Sequence, residues 1–576
     1  MKKKFLYIKI GLLTLSVLLL TGCNDYLDVS NKNFITDDVV WKSSESADLF
    51  LNDIYEQLPN MNSETEHLDQ FTDNSDVGVL WMRGYSNIAT AQVTPTNFPD
   101  VPWKMWHWSE NYKRIRRCNI FIKKVSESTN LSDDYKTTRL AEARFLRAMF
   151  YHWLWLAHGG VPVIEEPLDN ISMRDDIYRP RNTARETFEF IVKELSEVAN
   201  DLPVTVNKAD YGRPTKGAAL TLKGWCELYE ASPLRNPSND IERWRVAAKT
   251  NKEVIDLGVY DLVEDFTALF MEDNNNSVES IFAKQYGPKK GSSIEGKQGP
   301  VMNGVGAQVS WGNFQPTQEL VDEFSMANGK PIDDPASGYD PQNPYKGREK
   351  RFYQTILHDG AKWRDYTITT RKGGNNEIDL GYGSDKTHTG YYTRKRLNEN
   401  KDPKDYFSDN SYQNYMFFRY AEVLLNFAEA ENEVNGPTAD VLAAVNKVRT
   451  RGNNLPTVEV SFGSVSKDQM REIIHRERRV EFAFEDKRWW DVLRWKIADK
   501  LPDGSPGVLN RPEKGMLITE KGGGILNYEV VEVRNRIFLP KMYLMPVPQS
   551  AIDQNPSMSA QNGGEDNWVK GQNPGY

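Results

Sequence analysis

Four aromatic residues in stretches without helical periodicity are the side chains of this sequence best suited to hold a ligand. A flat indole or phenol ring can cover the apolar face of a ligand, while neighbouring amide and guanidinium groups bond to its polar rim. Other large aromatic residues, such as Trp108, Trp153 and Trp225, fall on apolar helix faces and are better explained as core. Each of the four could instead anchor a buried loop. The predicted binding residues are Trp81, Trp311, Trp363 and Tyr391, with Asn313 and Arg364 as polar partners.

The sequence contains no recognisable set of catalytic residues. The chain has 7 histidines but no HExxH, no GxSxG, no glycine-rich phosphate loop and no Cys and His pairing of known spacing. Glu165 and Glu166 are adjacent, so they point different ways and do not form the facing carboxylate pair of a glycoside hydrolase. Carboxylates distant in sequence could still meet in the fold, which keeps an enzyme as an alternative.

No metal or other cofactor is expected. The two cysteines of the body have no nearby partner that would make a metal site. Residues 273–276 (DNNN) could offer oxygen atoms to calcium, but they lack the spaced order of a calcium loop and are predicted to form a turn.

Two stretches of the chain are dense in charge. Residues 346–372 carry eight basic and three acidic side chains, a local charge of 8 − 3 = +5. We predict solvated surface there, with contact to an acidic ligand as the alternative, because arginine matches carboxylates bidentately. Residues 477–491 alternate in sign along a helical pattern, which predicts ion pairs between and along packed helices.

Composition places the chain among globular proteins and argues against nucleic acid as a partner. Its 576 residues are 39% hydrophobic and include 15 Trp, 26 Tyr and 24 Phe. The formal charge is −9, and removal of the four lysines that precede residue 10 would give −9 − 4 = −13. Proteins that bind polyanions carry a basic face and usually a high pI, so this charge balance argues against a nucleic-acid partner.

The first residues have the pattern of an export signal. Met1–Lys9 is basic, and the apolar run Ile10–Leu20 has the length of a signal-peptide core, too short for a comfortable transmembrane helix. The following Leu-Thr-Gly-Cys resembles a lipobox, which predicts removal of residues 1–22, lipidation of Cys23 and a polar tether over 23–40. An ordinary secretory signal is the alternative.

The two remaining thiols are predicted to be reduced core residues. Cys118 and Cys226 both lie on apolar helical faces, where a buried free cysteine is more common than a disulfide.

Helical hairpins dominate the rest of the sequence. In residues 418–431, FRYAEVLLNFAEAE, apolar residues recur at the spacing of one helix face, and two of them are alanines that let another helix approach. Gly436 and Pro437 end this helix, and Thr438 can cap the next one. Similar periodicity predicts helix pairs over 41–270 and 413–500. Between them, the turn-rich and aromatic-rich residues 271–412 are predicted as an irregular ligand-binding insert, and residues 501–576 as a packed C-terminal tail.

Five stretches of the chain together resemble the SusD-like (SusD/RagB) family. They are residues 418–431, RERRVEFAFEDKRWWDVLRW from Arg476, AEARFLRAMFYHWLWLAHGGVPVI from Ala141, GRPTKGAALTLKGWCELYEAS from Gly212, and the ending MPVPQSAIDQNP with QNPGY. Each motif alone is weak, because amphipathic helices look alike. Their order and spacing carry the resemblance, which runs from Cys23 to Tyr576.

The resemblance implies a mainly α, tetratricopeptide-like scaffold and a lipoprotein anchored at the outer-membrane surface. It further implies non-catalytic binding of oligosaccharide or polysaccharide and delivery to a SusC-like TonB-dependent transporter. A pyranose has an apolar C–H face and a rim of hydroxyl groups, so it suits the aromatic residues predicted above. Peptide binding, as in RagB-type relatives, and surface glycosidase activity are the two alternatives.

Overall fold

Two blocks of paired helices are separated along the chain by a segment with little regular structure. The computed structural model describes residues 40–79, 83–98, 105–169, 173–302, 310–381 and 386–576. The predictions for Cys23 and Trp81 therefore lie outside the described residues. The mainly helical architecture predicted from the sequence is confirmed.

Successive helices of the first block pack against each other. Its elements are α1 (Ser44–Glu56), β1 (Ser75–Val77), α2 (Arg83–Ala89), α3 (Trp108–Glu127), α4 (Asp133–His158), α5 (Ala184–Val198), α6 (Lys216–Ala231) and α7 (Ile241–Asp256). From α3 to α7, each helix contacts the next. Thr183 starts α5 with a capping box, in which its hydroxyl accepts from the Glu186 amide (3.1 Å) and the Glu186 carboxylate accepts from the Thr183 amide (2.7 Å).

The segment between the blocks contains short elements in its described part. They are β2 (Ser280–Lys284), α8 (Ile294–Gln298), β3 (Phe314–Pro316), α9 (Gln318–Glu323), α10 (Lys350–Thr355), β4 (Ile356–Leu357), β5 (Lys362–Trp363), β6 (Tyr366–Thr367), β7 (Tyr392–Thr393) and β8 (Tyr415–Arg419). All strand pairs are antiparallel: β1 with β3, β2 with β8, β4 with β7 and β5 with β6. Since β2 begins the segment and β8 ends it, their pairing brings the two ends together.

The second block begins with the predicted helical hairpin. Its helices are α11 (Tyr420–Asn435), α12 (Ala439–Arg449), α13 (Val458–Phe462), α14 (Lys467–Glu481) and α15 (Arg488–Arg494). Gly436 ends α11 with φ 78°, a left-handed conformation that glycine adopts without strain. The Thr438 hydroxyl accepts from the Val441 amide at 3.3 Å and caps α12. Because α11 also packs on α7 and α14, it joins the two blocks.

The C-terminal tail forms a β-hairpin and then returns to the first block. Its elements are β9 (Glu513–Glu520), β10 (Leu526–Arg534), α16 (Gln549–Asp553) and α17 (Pro556–Ser559). Strand β9 was not predicted from the sequence. The Asn573 amide donates to the carbonyl of His158 at 3.0 Å, and Arg181 donates to the carbonyl of Gly571 at 2.7 Å. These bonds attach the chain end to the end of α4 and to the connection that precedes α5.

One large apolar core runs through both helical blocks. The middle segment has a smaller core of its own, and it shares a second small core with the end of α14, the residues that follow it, and β9. Cys118 and Cys226 are free and buried in the large core, as expected, and burial raises the pKa of the Cys118 thiol to about 12. Within the described residues, no helix is both long and apolar enough to cross a membrane.

Candidate ligand-binding site

The ladder between β1 and β3 brings two distant loops to one edge of the middle segment. Val77 lies opposite Phe314, and the Gly78 amide donates to the carbonyl of Asn313 at 3.2 Å. Because the strands are antiparallel, the chain that leaves β1 and the chain that enters β3 lie at the same end of the ladder. Trp311 belongs to the incoming chain. Trp81 follows Val79 by two residues in sequence but lies outside the described residues.

Two aromatic rings form an accessible surface at this edge, which we call the aromatic platform: Trp311 and Phe407. Trp311 is half-buried and Phe407 is 43% exposed. Their ring centroids are 5.4 Å apart with planes inclined at 48°. Gly296 accommodates the pair, because a Cβ atom there would lie 2.7 Å from the Phe407 ring. The platform can therefore cover the apolar face of a ligand ring without a large rearrangement.

Trp363 is not part of the aromatic platform. Its ring is fully buried in a small core with Leu357, Tyr392 and Tyr406, so the predicted stacking role is wrong for this conformation. The indole Nε1 donates to the Tyr406 hydroxyl at 3.1 Å. Because Tyr406 precedes Phe407 in the chain, Trp363 positions the segment that presents the Phe407 ring.

Tyr391 is the second predicted residue that has no accessible ring. It is fully buried in a different small core, where its hydroxyl donates to Gln318 Oε1 at 2.7 Å and accepts from the Tyr345 hydroxyl at 3.3 Å. A ring without exposed surface cannot stack on a ligand, so Tyr391 is a core residue here.

The two predicted polar partners differ in accessibility. Arg364 is exposed, and its guanidinium donates to the carbonyl of Lys401, on the segment that leads to Phe407. Asn313 is 1% exposed. Its side-chain amide donates to the carbonyl of Thr65, and its main-chain carbonyl accepts from the Gln70 side chain at 2.8 Å. Arg364 can reach a ligand at the surface, whereas Asn313 fixes the loop that carries Trp311.

The basic stretch 346–372 is not one cationic surface. Arg348 is buried and donates to the carbonyl of Pro344 at 3.0 Å, and Arg351 is buried between the carboxylates of Glu477 (2.6 Å) and Glu481 (2.9 Å). The acidic-ligand interpretation of this stretch therefore loses two of its eight cations. The solvated-surface interpretation fits the exposed members Lys346, Lys350, Lys362, Arg364 and Lys372.

The charge alternation over residues 477–491 forms ion pairs, as predicted. Arg478 contacts Asp491 at 3.1 Å, Arg488 contacts Asp73 at 2.9 Å, and Glu485 contacts Lys395 at 2.6 Å. All these side chains are buried, so the network joins packed elements and leaves few charges available for a ligand.

Metal-ligating side chains do not form a cluster in the described part of the chain. No group of three or more His, Cys, Asp or Glu residues within it could hold a metal ion. Glu165 and Glu166 are both exposed, and residues 272–274 form a short 3-10 turn, consistent with the turn expected there.

Sequence reasoning missed Phe407. The available signal was a large apolar residue between polar ones, in KDYFSDN, within a stretch that lacks periodicity.

The structure is that of a helical-repeat protein. Its candidate binding surface is the exposed aromatic platform, which lies on the loop-rich middle segment. The chain belongs to the SusD family: the model of that family matches residues 278–568, and a second model, described as starch-binding and associating with the outer membrane, matches residues 25–223. The resemblance inferred from the sequence is therefore confirmed.

Individual relatives agree with the family assignment over almost the whole chain. A SusD-like protein of Formosa agariphila is 25% identical over 520 residues, which cover 85% of this chain and 92% of the relative. A solved SusD-like protein of Bacteroides fragilis superposes with a TM-score of 0.75 at 27% identity and covers 94% of this chain and 99% of its own. A SusD-like carbohydrate-binding protein of the same species gives a TM-score of 0.73 at 26% identity, and the match covers 90% of this chain and 99% of the solved chain.

Proposed function

We propose that this chain is a cell-surface lipoprotein that binds an oligosaccharide or polysaccharide without cleaving it and passes it to a SusC-like TonB-dependent transporter. The observation that carries the proposal is the aromatic platform, Trp311 beside the exposed Phe407, with the exposed Arg364 in the turn between β5 and β6. The description of one matching family as starch-binding, and that of a solved relative as carbohydrate-binding, support the choice of ligand class. Trp81 is proposed as a further member, because it follows Val77, the last residue of β1, by four residues in the sequence.

Stacking on two rings explains why binding would be weak. Covering about 60 Å² of sugar surface at roughly 25 cal/mol/Å² contributes about 1.5 kcal/mol per ring. Two rings then contribute about 3 kcal/mol, and polar contacts must also offset the cost of association. We expect dissociation constants of roughly micromolar to millimolar, which suits a protein that must release its ligand to a transporter.

Alanine at Trp311 or at Phe407 should weaken oligosaccharide binding about tenfold or more, since each substitution removes one stacking surface. The melting temperature should change little, because both rings are accessible. Calorimetry with the best-bound glycan of a polysaccharide panel measures the effect. Tyr211→Ala is the matched control, because Tyr211 is 44% exposed and lies in the first helical block.

The same incubations test the absence of catalysis. The chain length of the bound glycan should stay unchanged, and metal-dependent or pH-dependent shortening would move the protein to the hydrolases. A parallel peptide screen addresses the other alternative: binding of peptides with no binding of glycans would replace the proposed ligand.

Lipidation of Cys23 is proposed as the membrane anchor. Two or more acyl chains anchor stably, at ~0.8 kcal/mol per buried methylene. Cys23→Ala should therefore move the mature protein from the membrane fraction to the soluble fraction and abolish incorporation of labelled fatty acid. An alanine variant that still pellets with membranes would contradict the lipid anchor.

Pull-down of the wild-type protein from detergent-solubilised membranes should recover a large β-barrel transporter. Repeated recovery of the protein alone would contradict the proposed partner.

A further inference from the structure

A pocket in the first helical block is distinct from the aromatic platform. It has a volume of about 630 Å³, within the range of small-molecule sites, and lies between the start of α3, the chain near residues 162–179 and helices α16 and α17 of the tail. None of its lining residues belongs to the middle segment. We propose that this pocket binds a uronic acid unit of a glycan, with its carboxylate at a cationic rim.

The floor of the pocket is aromatic and rigidly supported. The Trp108 ring lies 5.1 Å from the Tyr112 ring and 5.3 Å from the His158 ring, and it packs against the small core that contains Met558. The Tyr112 hydroxyl donates to the carbonyl of Pro162 at 2.7 Å. Trp108 and Tyr112 are both half-buried, so each keeps accessible surface in a fixed orientation. Such a floor suits the C–H face of a sugar ring.

The rim of the pocket is cationic in a chain that is acidic overall. Lys113 and Arg116 stand three residues apart on α3, where side chains share a helix face, and Arg179 lies on the connection that lines another side. The described residues that line the pocket include no Asp or Glu. The first turn of α3 also lines it and adds the partial positive charge of a helix amino end.

The present partners of these cations are easily exchanged. Lys113 contacts Glu110 at 2.6 Å, and Arg179 contacts Glu166 at 2.8 Å, with both members of each pair substantially exposed. Arg116 donates to the carbonyl of Leu168. Exposed ion pairs contribute little to stability, so a ligand carboxylate can compete for the same groups. The guanidinium of arginine donates two parallel hydrogen bonds to a carboxylate, which favours a uronic acid over a neutral sugar.

The inference rests on the proposed function for the choice of a sugar, but it uses different residues. Its test is calorimetry of the full mature chain with tri-galacturonic acid and with the methyl ester of that trisaccharide as the neutral match. We expect the acid to bind at least tenfold more tightly than the ester at low salt, and the difference to shrink as salt rises. Equal affinities, or no binding of the acid, would overturn the proposal.

Charge-matched variants locate the binding. Lys113→Gln with Arg116→Gln, and separately Arg179→Gln, should weaken tri-galacturonic acid binding at least tenfold. Lys123→Gln with Lys249→Gln removes the same charge from exposed positions on α3 and α7 outside the pocket and should change binding less than twofold. Trp311→Ala should leave tri-galacturonic acid binding in place, so failure of the platform and failure of the pocket are distinguishable. Unchanged binding in both pocket variants would show that the acid binds elsewhere.

Discussion

Replacing Glu481 with glutamine is expected to lower the free energy of unfolding by roughly 3–5 kcal/mol, because the change leaves buried cations without their counter-charge. Glu481 is fully buried at the end of α14. Its carboxylate contacts Arg419 at 2.7 Å and Arg351 at 2.9 Å, and it also pairs with Arg451. The three arginines come from β8, α10 and the loop after α12, so one side chain joins four parts of the fold.

Charge balance makes this network sensitive to a single loss. It contains five cations and five anions, which leaves it neutral: Arg351, Lys395, Arg419, Arg449 and Arg451, with Glu279, Glu349, Glu477, Glu481 and Glu485. Removing one anion leaves a net positive charge in a medium of low polarity. Urea unfolding followed by tryptophan fluorescence measures the loss. Glu472→Gln, at an exposed position of the same helix, is the control and should stay within about 0.5 kcal/mol of wild type.

The free energy of unfolding that is lost in Glu481→Gln should depend on pH, and the pKa of Glu481 sets the direction of that dependence. Burial alone would raise the pKa of Glu481, but the charges of Arg451, Arg419 and Arg351 outweigh it and lower the pKa well below the usual 4.5. A lowered pKa in the folded state contributes stability above about pH 4.5, which is lost as pH falls below that value. The stability difference between wild type and Glu481→Gln should therefore narrow by about 1.4 kcal/mol per pH unit below 4.5. A difference that widens on acidification would contradict the assignment.

Helices were predictable because the signals that set them are local. Gly436 ends α11 and Thr438 caps α12 through contacts within a few residues, and the apolar spacing of each helix can be counted directly. Strand β9 carries a weaker signal. Its buried residues Met516 and Ile518 alternate with more exposed ones, but it follows a turn-rich stretch, and its pairing with β10 depends on the register of a hairpin.

The binding residues were only partly predictable because burial in irregular chain depends on distant partners. Trp363 is covered by a core that includes Tyr406, 43 residues away, and the Tyr391 hydroxyl meets Gln318 from a distance of 73 residues. No periodicity links such pairs. The same reasoning applies to Arg351, which meets Glu481 from a distance of 130 residues, and to Arg348, which also donates to the carbonyls of Val321 and Phe324. The sequence could identify which aromatic residues lie outside helices, but the tertiary contacts decide which of them face solvent.

Trp363→Ala is expected to destabilise the middle segment by roughly 3–5 kcal/mol, the usual effect of removing a buried tryptophan. The indole is completely buried, so alanine leaves a cavity among Leu357, Tyr392 and Tyr406 and removes the hydrogen bond to the Tyr406 hydroxyl. Because this core is small and separate from the main one, the loss should appear as local opening. Hydrogen exchange should accelerate over residues 356–407 while the helical blocks keep their protection.

Glycan binding should weaken in the same variant, although Trp363 touches no ligand. Phe407 follows Tyr406 directly, so loosening Tyr406 lets the exposed ring leave its place beside Trp311. Tyr406→Phe is the finer test, since it keeps the ring but leaves the buried indole N–H without its acceptor, at a cost of roughly 1–3 kcal/mol. Binding and exchange protection should fall together in both variants, whereas Trp311→Ala should reduce binding alone. If Trp363→Ala bound glycan normally while its segment opened, Phe407 would not be part of the binding surface, because its position would have no effect on the ligand.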